Sequence, residues 1–569
     1  MTNLDFRRRH ALLGAMLIAL GCGGSGSGGS PPSGPIVELP PPLVGSGSET
    51  PTPAAAATPS DGVLPDAAQD ADGPAWLRVF VSQDNRAELD PCGCPGSPSG
   101  GMGKRATLVP LLRATIPDAL VVEGPTSLSR AVLGIEQVGG DERRRARVVL
   151  DALGVSRPDA FFPGQADFEA LGPKELVPRA SALDIPLVVS NLASPVPGIR
   201  DRLVVQRGDR RVVLLGLIGA ARSAAQAAAL PLTDAPSAVA RILDDEAARG
   251  PIDLVVVFTD AEKRELAGWR EAALAADVWF VPPGLRRDGR FQREEDRLLV
   301  HADPLGRAFR RLDVAFSGPP GRGLMATEEF PLIEVAKAER EHVAQSLELA
   351  RAEAAGETER AATARRGLAE AKFRRGVHLR AAAEPSAGHR AAVTDQLIHP
   401  DLAVDGRVAS ILAGYNEDRI GALTASVAAA PQAPRGREFM GLDACTQCHP
   451  SQVAQWGRSP HAGAWKTLRD AGQTRNPDCL GCHTTGFGEA GGFVDPAEGT
   501  GLFNVQCEAC HGPMDFHVSQ ANRMGVKADP GVPVIEATCT ACHDARNSPE
   551  FDFETYSAAV AHTPPSETP

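Results

Sequence analysis

The sequence predicts a multidomain protein with an α/β layered domain, a helical spacer and a small, mostly helical C-terminal domain. Residues 75–333 alternate short apolar runs with helical stretches, which is typical of a layered α/β domain. Residues 334–383 are rich in Ala, Glu and Arg, and eight of the 11 cysteines lie within residues 437–569. The 569 residues suffice for about three or four domains of roughly 150 residues each.

The overall charge argues against a nucleic-acid partner. The chain has 58 Lys and Arg against 71 Asp and Glu, which gives a formal net charge of -13 at pH 7. A surface with this excess of carboxylates repels a phosphate backbone. The 58 Gly and 48 Pro indicate long stretches that do not build a packed core.

Residues 1–22 have the pattern of an export signal. A basic stretch, RRR, precedes an apolar run that is too short to span a membrane. Gly21 directly before Cys22 resembles a lipobox, in which the cysteine is lipidated and becomes the mature N-terminus. The alternative is an ordinary cleavable peptide with an incidental cysteine, since Ala19 stands where lipoprotein signals usually have Leu. We expect an exported chain on the periplasmic or cell-surface side of a membrane, held there by a lipid anchor.

Residues 23–74 are rich in Gly, Ser, Pro and Ala and show no apolar periodicity, so we predict a disordered tether. A flexible tether after the lipid would connect the anchor to the globular domains.

Apolar runs and helical periodicity outline the domain at residues 75–333. The predicted strands are Leu77–Val81, Ala119–Val122, Pro186–Val189, Arg211–Gly219, Asp253–Phe258, Asp277–Val281 and Leu298–His301, and helices are predicted at Asp141–Leu153 and Pro236–Ala248. Residues 334–383 predict one or two solvent-exposed helices with charge pairs at i, i+4, which would act as a spacer. Residues 384–436 predict a partly helical connection.

Four copies of a Cys-x-x-Cys-His motif lie in residues 437–569. They are Cys445, Cys448 and His449; Cys479, Cys482 and His483; Cys507, Cys510 and His511; and Cys539, Cys542 and His543. Two thiols at this spacing reach the two vinyl groups of one haem, and the adjacent histidine becomes the proximal iron ligand. A zinc site or a redox pair could explain one Cys-x-x-Cys, but four copies each followed by histidine indicate four covalent haems c.

The haem density of this segment has a consequence for its folding. One haem for every 33 or so residues leaves little chain for an ordinary side-chain core, so we expect the porphyrins to form the core. Metal binding and folding are then coupled, and we expect the segment to be unfolded without haem.

Distal iron ligands must come from histidines outside the motifs. This segment has three, His461, His517 and His562, and we take them as candidate distal ligands. His517 lies too close to His511 in sequence to reach round the same porphyrin, so it should face a different haem. Three candidates for four irons leave one haem five-coordinate, or ligated by a distant residue such as His399. An open iron could bind a small ligand.

The residues around the motifs resemble the tetrahaem cytochrome c-554 family. The similar phrases are Ser459-Pro460-His461-Ala462, Cys479-Leu-Gly-Cys482-His483-Thr-Thr-Gly486 and Val505-Gln-Cys507-Glu-Ala-Cys510-His511-Gly-Pro513. The resemblance implies closely stacked haems, largely ligated by two histidines, that pass electrons along the chain. It also implies that one haem is five-coordinate.

The middle of the chain is similar to calcineurin-like metallophosphoesterases of the 5'-nucleotidase branch. The phrases that carry this resemblance are Gly164-Gln165-Ala166-Asp167-Phe168-Glu169, Ser190-Asn191-Leu192, Val212–Gly219 and Gly306–Val314. That family hydrolyses phosphate esters at a dinuclear metal centre with Asp, His and Asn ligands. The resemblance therefore implies a layered α/β fold for residues 75–333.

The metal-ligand positions of that family are mostly replaced in this sequence. They read Asp84-Asn85-Arg86, Gly124-Pro125, Gln165-Ala166, Thr259-Asp260 and Pro282-Pro283-Gly284-Leu285, so one ligand, Asp84, survives. Arg, Ala and Pro cannot replace an imidazole as a metal ligand. We interpret the domain as a relative that binds a partner or small molecule without hydrolysing it.

Two further cysteines, Cys92 and Cys94, follow the first predicted strand. Such a pair can form a strained disulfide, bind a soft metal or act as a reactive thiol pair. A redox pair and a structural pair are both open interpretations, and thiol alkylation in both haem redox states would separate them.

The leading interpretation is an electron-transfer protein rather than an enzyme, with redox partner proteins and a lipid-anchored membrane association. A phosphoester or nucleotide hydrolase with an electron-transfer adjunct is one alternative. A multihaem oxidoreductase of a small nitrogen or sulfur compound is the other.

The lipobox interpretation predicts that Cys22→Ala moves the protein from the membrane fraction to the soluble fraction, because burial of acyl CH2 groups would hold the mature chain. Ser25→Ala, a change in the tether, should leave the protein in the membrane fraction. Fractionation with the mass of the mature N-terminus measures both. A soluble wild-type chain that begins at another residue would contradict the prediction.

Overall fold

The computed structural model describes residues 63–64, 75–90, 99–129, 140–220, 230–271, 275–283, 289–294, 297–321, 324–326, 330–429, 438–498, 501–521, 531–544, 547–548 and 550–562. These residues all belong to one compact unit, Ser60–Pro569. The predicted signal peptide, nearly all of the predicted tether, Cys92 and Cys94 lie outside the described residues.

Fifteen strands within the described residues form two mixed sheets. The strands are β1 Val63–Leu64, β2 Trp76–Ser82, β3 Leu120–Glu123, β4 Ala160–Phe161, β5 Leu187–Val188, β6 Ile199–Arg200, β7 Leu203–Arg207, β8 Arg210–Leu217, β9 Leu254–Thr259, β10 Val278–Val281, β11 Phe291–Glu294, β12 Arg297–His301, β13 Ala308–Ala315, β14 Leu324–Ala326 and β15 His389–Leu397. The seven-stranded sheet has the order β1-β7-β8-β9-β10-β12-β11, and the eight-stranded sheet has the order β14-β15-β13-β2-β3-β4-β5-β6.

Helices cover the outer faces of both sheets and form most of the C-terminal segment. They are α1 Met102–Thr115, α2 Gly140–Ser156, α3 Gln165–Leu171, α4 Pro173–Ala182, α5 Ala235–Ala247, α6 Lys263–Glu271, α7 Phe330–Ala354, α8 Thr358–Ala382, α9 Gly406–Ala429, α10 Leu442–Thr446, α11 Pro450–Trp456, α12 Ala464–Asp470, α13 Pro477–His483, α14 Cys507–His511, α15 Asp515–Ala521, α16 Glu536–Thr540 and α17 Phe553–Val560. No helix in these described ranges is long and apolar enough to cross a membrane.

The main core lies between the two sheets. Successive side chains of a strand point to opposite faces, so every second side chain of a strand points towards the other sheet. Alternate residues of β2 and β8 meet there, and Phe258 of β9 stacks between Phe162 and Phe280 with ring centroids 4.2 and 5.0 Å apart. The opposite strand faces pack against helices, chiefly α2 to α4 on one sheet and α5 and α6 on the other. The layers are therefore helix, sheet, sheet and helix, and the predicted α/β layered fold is confirmed.

The apolar runs locate the central strands well. All seven predicted strands are present with ends within two residues of the predicted bounds, and the two predicted helices correspond to α2 and α5. These strands are buried on both faces, which gives nearly continuous apolar sequence and a clear signal.

Residues 384–436, predicted as a partly helical connection, contain helix α9 and also a strand of the main sheet. Strand β15 pairs antiparallel with β13 over eight residue pairs, from Ala308 with Leu397 to Ala315 with Arg390. The α/β domain therefore includes residues beyond 333. The sequence HRAAVTDQL has no long apolar run, and its strand is defined by pairing with residues some 80 positions earlier.

The predicted spacer forms two helices, α7 and α8, that pack against each other and against the sheet. Residues Val343 of α7 and Phe309 of β13 share one core cluster, and Ala361, Ala364 and Ala371 of α8 are buried. The small alanine side chains allow the two helices to pack closely. The helical spacer is thus present, but its first helix is part of the α/β domain rather than fully exposed.

A buried ion network fixes α7 to the sheet. Arg311 of β13 donates to Asp313 through Nε at 2.7 Å and also contacts Glu339 of α7, and all three side chains are buried. Arg375 of α8 donates to Glu339 at 2.8 Å. Burial disfavours the Glu339 carboxylate, but the guanidinium groups of Arg311, Arg78 and Arg375 outweigh it and lower its pKa to about 2.

Glu339→Gln should lower the free energy of unfolding by about 3 kcal/mol at neutral pH, because it removes a carboxylate partner of the buried Arg311. A folded-state pKa of about 2 lies below the ordinary value of 4.5, so this carboxylate stabilises the fold above pH 4.5. The difference between wild type and variant should shrink as the pH falls from 4.5 towards 2. Urea unfolding followed by circular dichroism measures it.

The matched control is Glu353→Gln in the same helix, whose carboxylate pairs with Arg365 on the exposed surface. An exposed pair contributes about 1 kcal/mol or less. Equal losses for the two variants would contradict a special role for the buried network.

Candidate haem centre and the altered strand-end site

Short helices place the two thiols and the imidazole of each motif on one side of the chain. His449 N–H donates to Cys445 O at 2.9 Å and His543 N–H to Cys539 O at 2.8 Å, so one helical turn separates the first cysteine from the histidine. The second and third motifs lie in α13 and α14. This geometry brings the three attachment groups of each motif together.

The second motif has the most defined helix start. Asn476 is the N-cap of α13, and its side-chain oxygen accepts the Asp478 N–H at 3.0 Å. Pro477 occupies the first helical position, where its missing N–H costs nothing. The local sequence therefore fixes where Cys479, Cys482 and His483 lie.

Each of the three histidines outside the motifs faces a motif histidine. The ring centroids of His517 and His449 are 6.0 Å apart, those of His461 and His543 are 6.2 Å apart, and those of His562 and His511 are 5.8 Å apart. Two imidazoles bound to one iron, with metal–nitrogen bonds of about 2 Å, place their centroids roughly 6 Å apart. The three pairs therefore have the spacing that one iron between two imidazoles requires.

The protonation of three of these six rings agrees with metal ligation. Burial lowers the pKa of His449, His461 and His511, and each facing imidazole lowers it further. A lower pKa favours the neutral imidazole, which is the form that binds a metal.

His483 of the second motif differs from the other three motif histidines. No histidine ring faces it at comparable distance within the described part of the chain. Its Nδ1 lies 2.7 Å from Ala464 O, which orients the ring and leaves Nε2 for a metal. His543 has a similar orienting contact, from Nδ1 to Ser548 Oγ at 3.2 Å.

His399 lies elsewhere in the fold. It follows β15, and its Nδ1 accepts the Asp401 N–H at 3.2 Å. The structure therefore gives no sign that His399 faces His483.

Thiols of different motifs contact each other in two pairs. A hydrogen bond between Cys445 and Cys507 raises the pKa of the first and lowers that of the second to about 7. A hydrogen bond between Cys482 and Cys542 lowers the pKa of Cys482 to about 7 and raises that of Cys542. The first and third motifs are thus neighbours, and so are the second and fourth.

Apolar side chains near the third and fourth motifs lack a protein core. Val532, Ile535, Phe516 and Tyr556 are exposed in the chain alone. Large exposed apolar groups near haem-attachment thiols are what porphyrins would cover. The residues present therefore fit covalent haem.

The expectation that this segment has no ordinary core is wrong for the second motif. Leu468, Leu480 and Phe493 form a buried cluster there together with Leu502 and with Ile420 of α9. The segment between the second and third motifs is long enough to supply aromatic residues, including Phe487 and Phe503, which pack against this cluster.

At the carboxyl ends of the strands, acids that could bind metals make internal contacts instead. Asp84 is held by Arg86, with Nη2 to Oδ2 at 2.9 Å and Nε to Oδ1 at 3.1 Å. Burial raises the pKa of Asp84, and Arg86 opposes this. Asp260 accepts the N–H groups of Gln165 at 2.6 Å and Gly219 at 2.8 Å.

Two deeper acids are likewise engaged. Glu123 is buried and pairs with Arg105 at 2.5 Å, and Ser127 Oγ donates to it at 2.5 Å. Asp167 accepts the N–H groups of Ser127 at 2.9 Å and Leu128 at 2.7 Å, and burial raises its pKa to about 7.

This donor set does not fit a dinuclear metal centre. Within the described residues no group of three His, Cys, Asp or Glu side chains could hold a metal ion. The positions that would need imidazole ligands hold Arg86, Ala166 and Pro283.

A cavity of about 430 Å³ lies at the same strand ends. It is lined by Gln165, Gly219, Ala220, Asp260, Glu262, Arg264 and Glu265. Three carboxylates against one guanidinium make it electronegative, which disfavours a phosphate ester.

Sequence analysis did not find the residues that join the second motif to the α/β domain. Arg145 of α2 donates to Asp478 at 2.6 Å, and Asn476 donates to Asp90 at 2.8 Å. These partners lie more than 300 positions apart, and no motif or periodicity relates them.

The C-terminal segment matches a known family. Residues 444–512 match the family described as cytochrome c554 and c-prime. Over 106 residues the chain is 35% identical to cytochrome c-554 of Nitrosomonas europaea, which covers 16% of this chain and 43% of that protein. The chain therefore spans less than half the length of this curated relative.

Solved structures of phosphoesterases are similar to the larger part of the chain. A 5'-nucleotidase precursor of Thermus thermophilus has 16% identity and a TM-score of 0.39, with 70% of this chain and 68% of that chain covered. The sulfate thiohydrolase SoxB of Thermus thermophilus, in complex with glycerol, has 11% identity and a TM-score of 0.40, with 62% of both chains covered.

The family match covers the first three motifs and ends directly after His511. The sequence resemblance to the cytochrome c-554 family is confirmed by this match and by the relative from Nitrosomonas europaea. The C-terminal segment of the chain is thus similar to c-type cytochromes of the cytochrome c554 kind.

Proposed function

We propose that this protein is an exported, lipid-anchored tetrahaem cytochrome c that carries electrons between redox partner proteins. Its α/β domain binds a partner or ligand and does not hydrolyse phosphate esters. The observation that carries the proposal is the set of three histidines outside the motifs, each about 6 Å from a motif histidine.

In this proposal the haems of the first, third and fourth motifs each have two histidine ligands. His517 serves the first haem, His562 the third and His461 the fourth. Imidazoles on both sides of an iron leave no site for a ligand, which suits electron transfer rather than catalysis.

The contacts between thiols support close haem pairs. Each thiol becomes a thioether at the edge of one porphyrin, so contact between Cys445 and Cys507 would bring the first and third haems together. Contact between Cys482 and Cys542 would bring the second and fourth together.

The side chains at the carboxyl ends of the strands support the proposal that the α/β domain does not hydrolyse phosphate esters. Activating water and clamping phosphate need metal ligands, and the positions for imidazole ligands hold Arg86, Ala166 and Pro283. The alternative, a phosphoester hydrolase, is distinguished by divalent-metal content and phosphatase assay of the full-length protein.

Mass spectrometry of the mature wild-type chain should show four covalent haem additions, all on residues 437–569. Cys482→Ser should remove one thioether bond and destabilise the segment, because the second and fourth haems would pack on each other. Cys92→Ser, outside the motifs, should retain all four haems. Fewer than four additions on the mature wild-type chain would contradict the proposal.

A second candidate function is favoured by the surroundings of His483. A haem attached at Cys479 and Cys482 would have one histidine ligand, because no second histidine faces His483 in the described ranges. An iron with an open position can bind and reduce or oxidise a small nitrogen or sulfur compound.

Electron paramagnetic resonance of the oxidised holoprotein should show one high-spin haem beside three low-spin haems, and cyanide should convert it to low spin. His517→Ala, His461→Ala and His562→Ala should each create a second high-spin haem, because each removes a proposed distal ligand.

His399→Ala is the matched control and should leave the spectrum unchanged. A wild-type protein with four low-spin haems would contradict the proposal that the iron of the second haem has an open coordination position. Loss of a low-spin haem in His399→Ala would identify that histidine as the missing ligand.

A further inference from the structure

The helix of the second motif is attached to the α/β domain by an acid directly beside its first cysteine. Asp478 accepts hydrogen bonds from Arg145 Nη1 at 2.6 Å and from Arg419 Nη2 at 2.8 Å. Arg145 belongs to α2 and Arg419 to α9, so one carboxylate joins three helices. Since Asp478 and Cys479 are adjacent, this ion cluster lies beside the haem attachment point.

Both arginines of this ion cluster are held in place by further contacts. Arg145 is only 2% exposed, and its Nε donates to Ala87 O at 2.7 Å in the loop after β2. Arg419 stacks on the ring of Tyr415, with its guanidinium carbon 5.2 Å from the ring centroid. A buried arginine with two fixed acceptors exerts a constant field on its surroundings.

A second polar contact holds the same helix start. Asn476, the N-cap of α13, is 3% exposed and donates to Asp90 Oδ2 at 2.8 Å, and Gln473 donates to Asp90 Oδ1 at 3.2 Å. Asp90 ends the described loop after β2. The first strand loop of the α/β domain is thus tied to the second haem motif.

Apolar contacts accompany these polar ones. Helix α9 contributes Leu412 and Tyr415 to the core of the α/β domain and Ile420 to the cluster around Leu480 of the second motif. One helix therefore belongs to both cores, and the second motif cannot shift without disturbing the α/β domain.

We propose that Arg145 positions the second haem motif on the α/β domain and, together with Asp478, sets the reduction potential of the haem that this motif carries. The inference rests on the proposed attachment of haem to Cys479 and Cys482. Reduction adds a negative charge to the haem, so a nearby buried cation favours the reduced form and a nearby carboxylate favours the oxidised form.

The test is a spectroelectrochemical redox titration of the full-length holoprotein and its variants. Arg145→Gln should lower the midpoint potential of one haem of the four, because the negative charge of Asp478 is then less well neutralised. Asp478→Asn should raise the potential of the same haem. The double variant should return that potential towards the wild-type value, and Arg145→Lys, which retains the charge, should remain near it.

The matched control is Arg179→Gln, which breaks an ion pair with Asp151 at 2.5 Å on the same domain. This variant should leave all four potentials unchanged. If Arg145→Gln does not fold, Arg419→Gln removes the second cation and should lower the same potential.

Shifts in the same direction for Arg145→Gln and Asp478→Asn, or shifts spread over all four haems, would overturn the inference, because loss of packing alone has no charge-dependent sign. Haem counts by mass spectrometry on the same samples separate the two proposals. Four haems with unmoved potentials would overturn this inference alone, whereas fewer than four on the wild-type chain would overturn the proposed function.

Discussion

The ion pair between Asp478 and Arg145 joins the α/β domain to the second haem motif, together with the contact between Asn476 and Asp90 and the helix α9 that both cores share. It connects α2 of the α/β domain to the helix that carries Cys479, Cys482 and His483. All three attachment groups lie on seven residues of helix, so fixing the start of the helix fixes the orientation of the whole motif. Replacing a buried ion pair with apolar residues is often neutral or stabilising, whereas removing one partner is costly. Because Arg145 is buried, loss of Asp478 would remove an ion-pair partner of a buried charge.

The four haem motifs are not equivalent in their protein surroundings. The second has its own cluster of buried side chains, a capped helix and two polar contacts with the α/β domain. The third and fourth have exposed apolar residues beside short helices. Folding of the last two should depend most strongly on haem, since the porphyrins would supply the missing core.

In the α/β domain, the fold and the contacts at the strand ends depend on different residues. Two sheets and their helices need only the apolar pattern of the strands, which is intact. At the strand ends, Arg86 pairs with Asp84, and backbone N–H groups donate to Asp167. Function resides in such sites and not in the fold. Three carboxylates and one guanidinium line the cavity beside Asp260.

The sequence by itself determined the local features. These are the Cys-x-x-Cys-His motifs, because their thiols and imidazole are neighbours in the chain, and the central strands, because burial on both faces excludes polar residues. Only the tertiary structure decided which histidine faces which, since His517 faces His449 across 68 positions. Strand β15 was missed for the same reason, because its hydrogen-bond partners lie in β13. In the sequence alone, nothing distinguishes Asp478 from an ordinary surface acid. Only the fold brings Arg145 into contact with it. Contacts between residues far apart in the chain depend on the packing of whole elements, which no local pattern specifies.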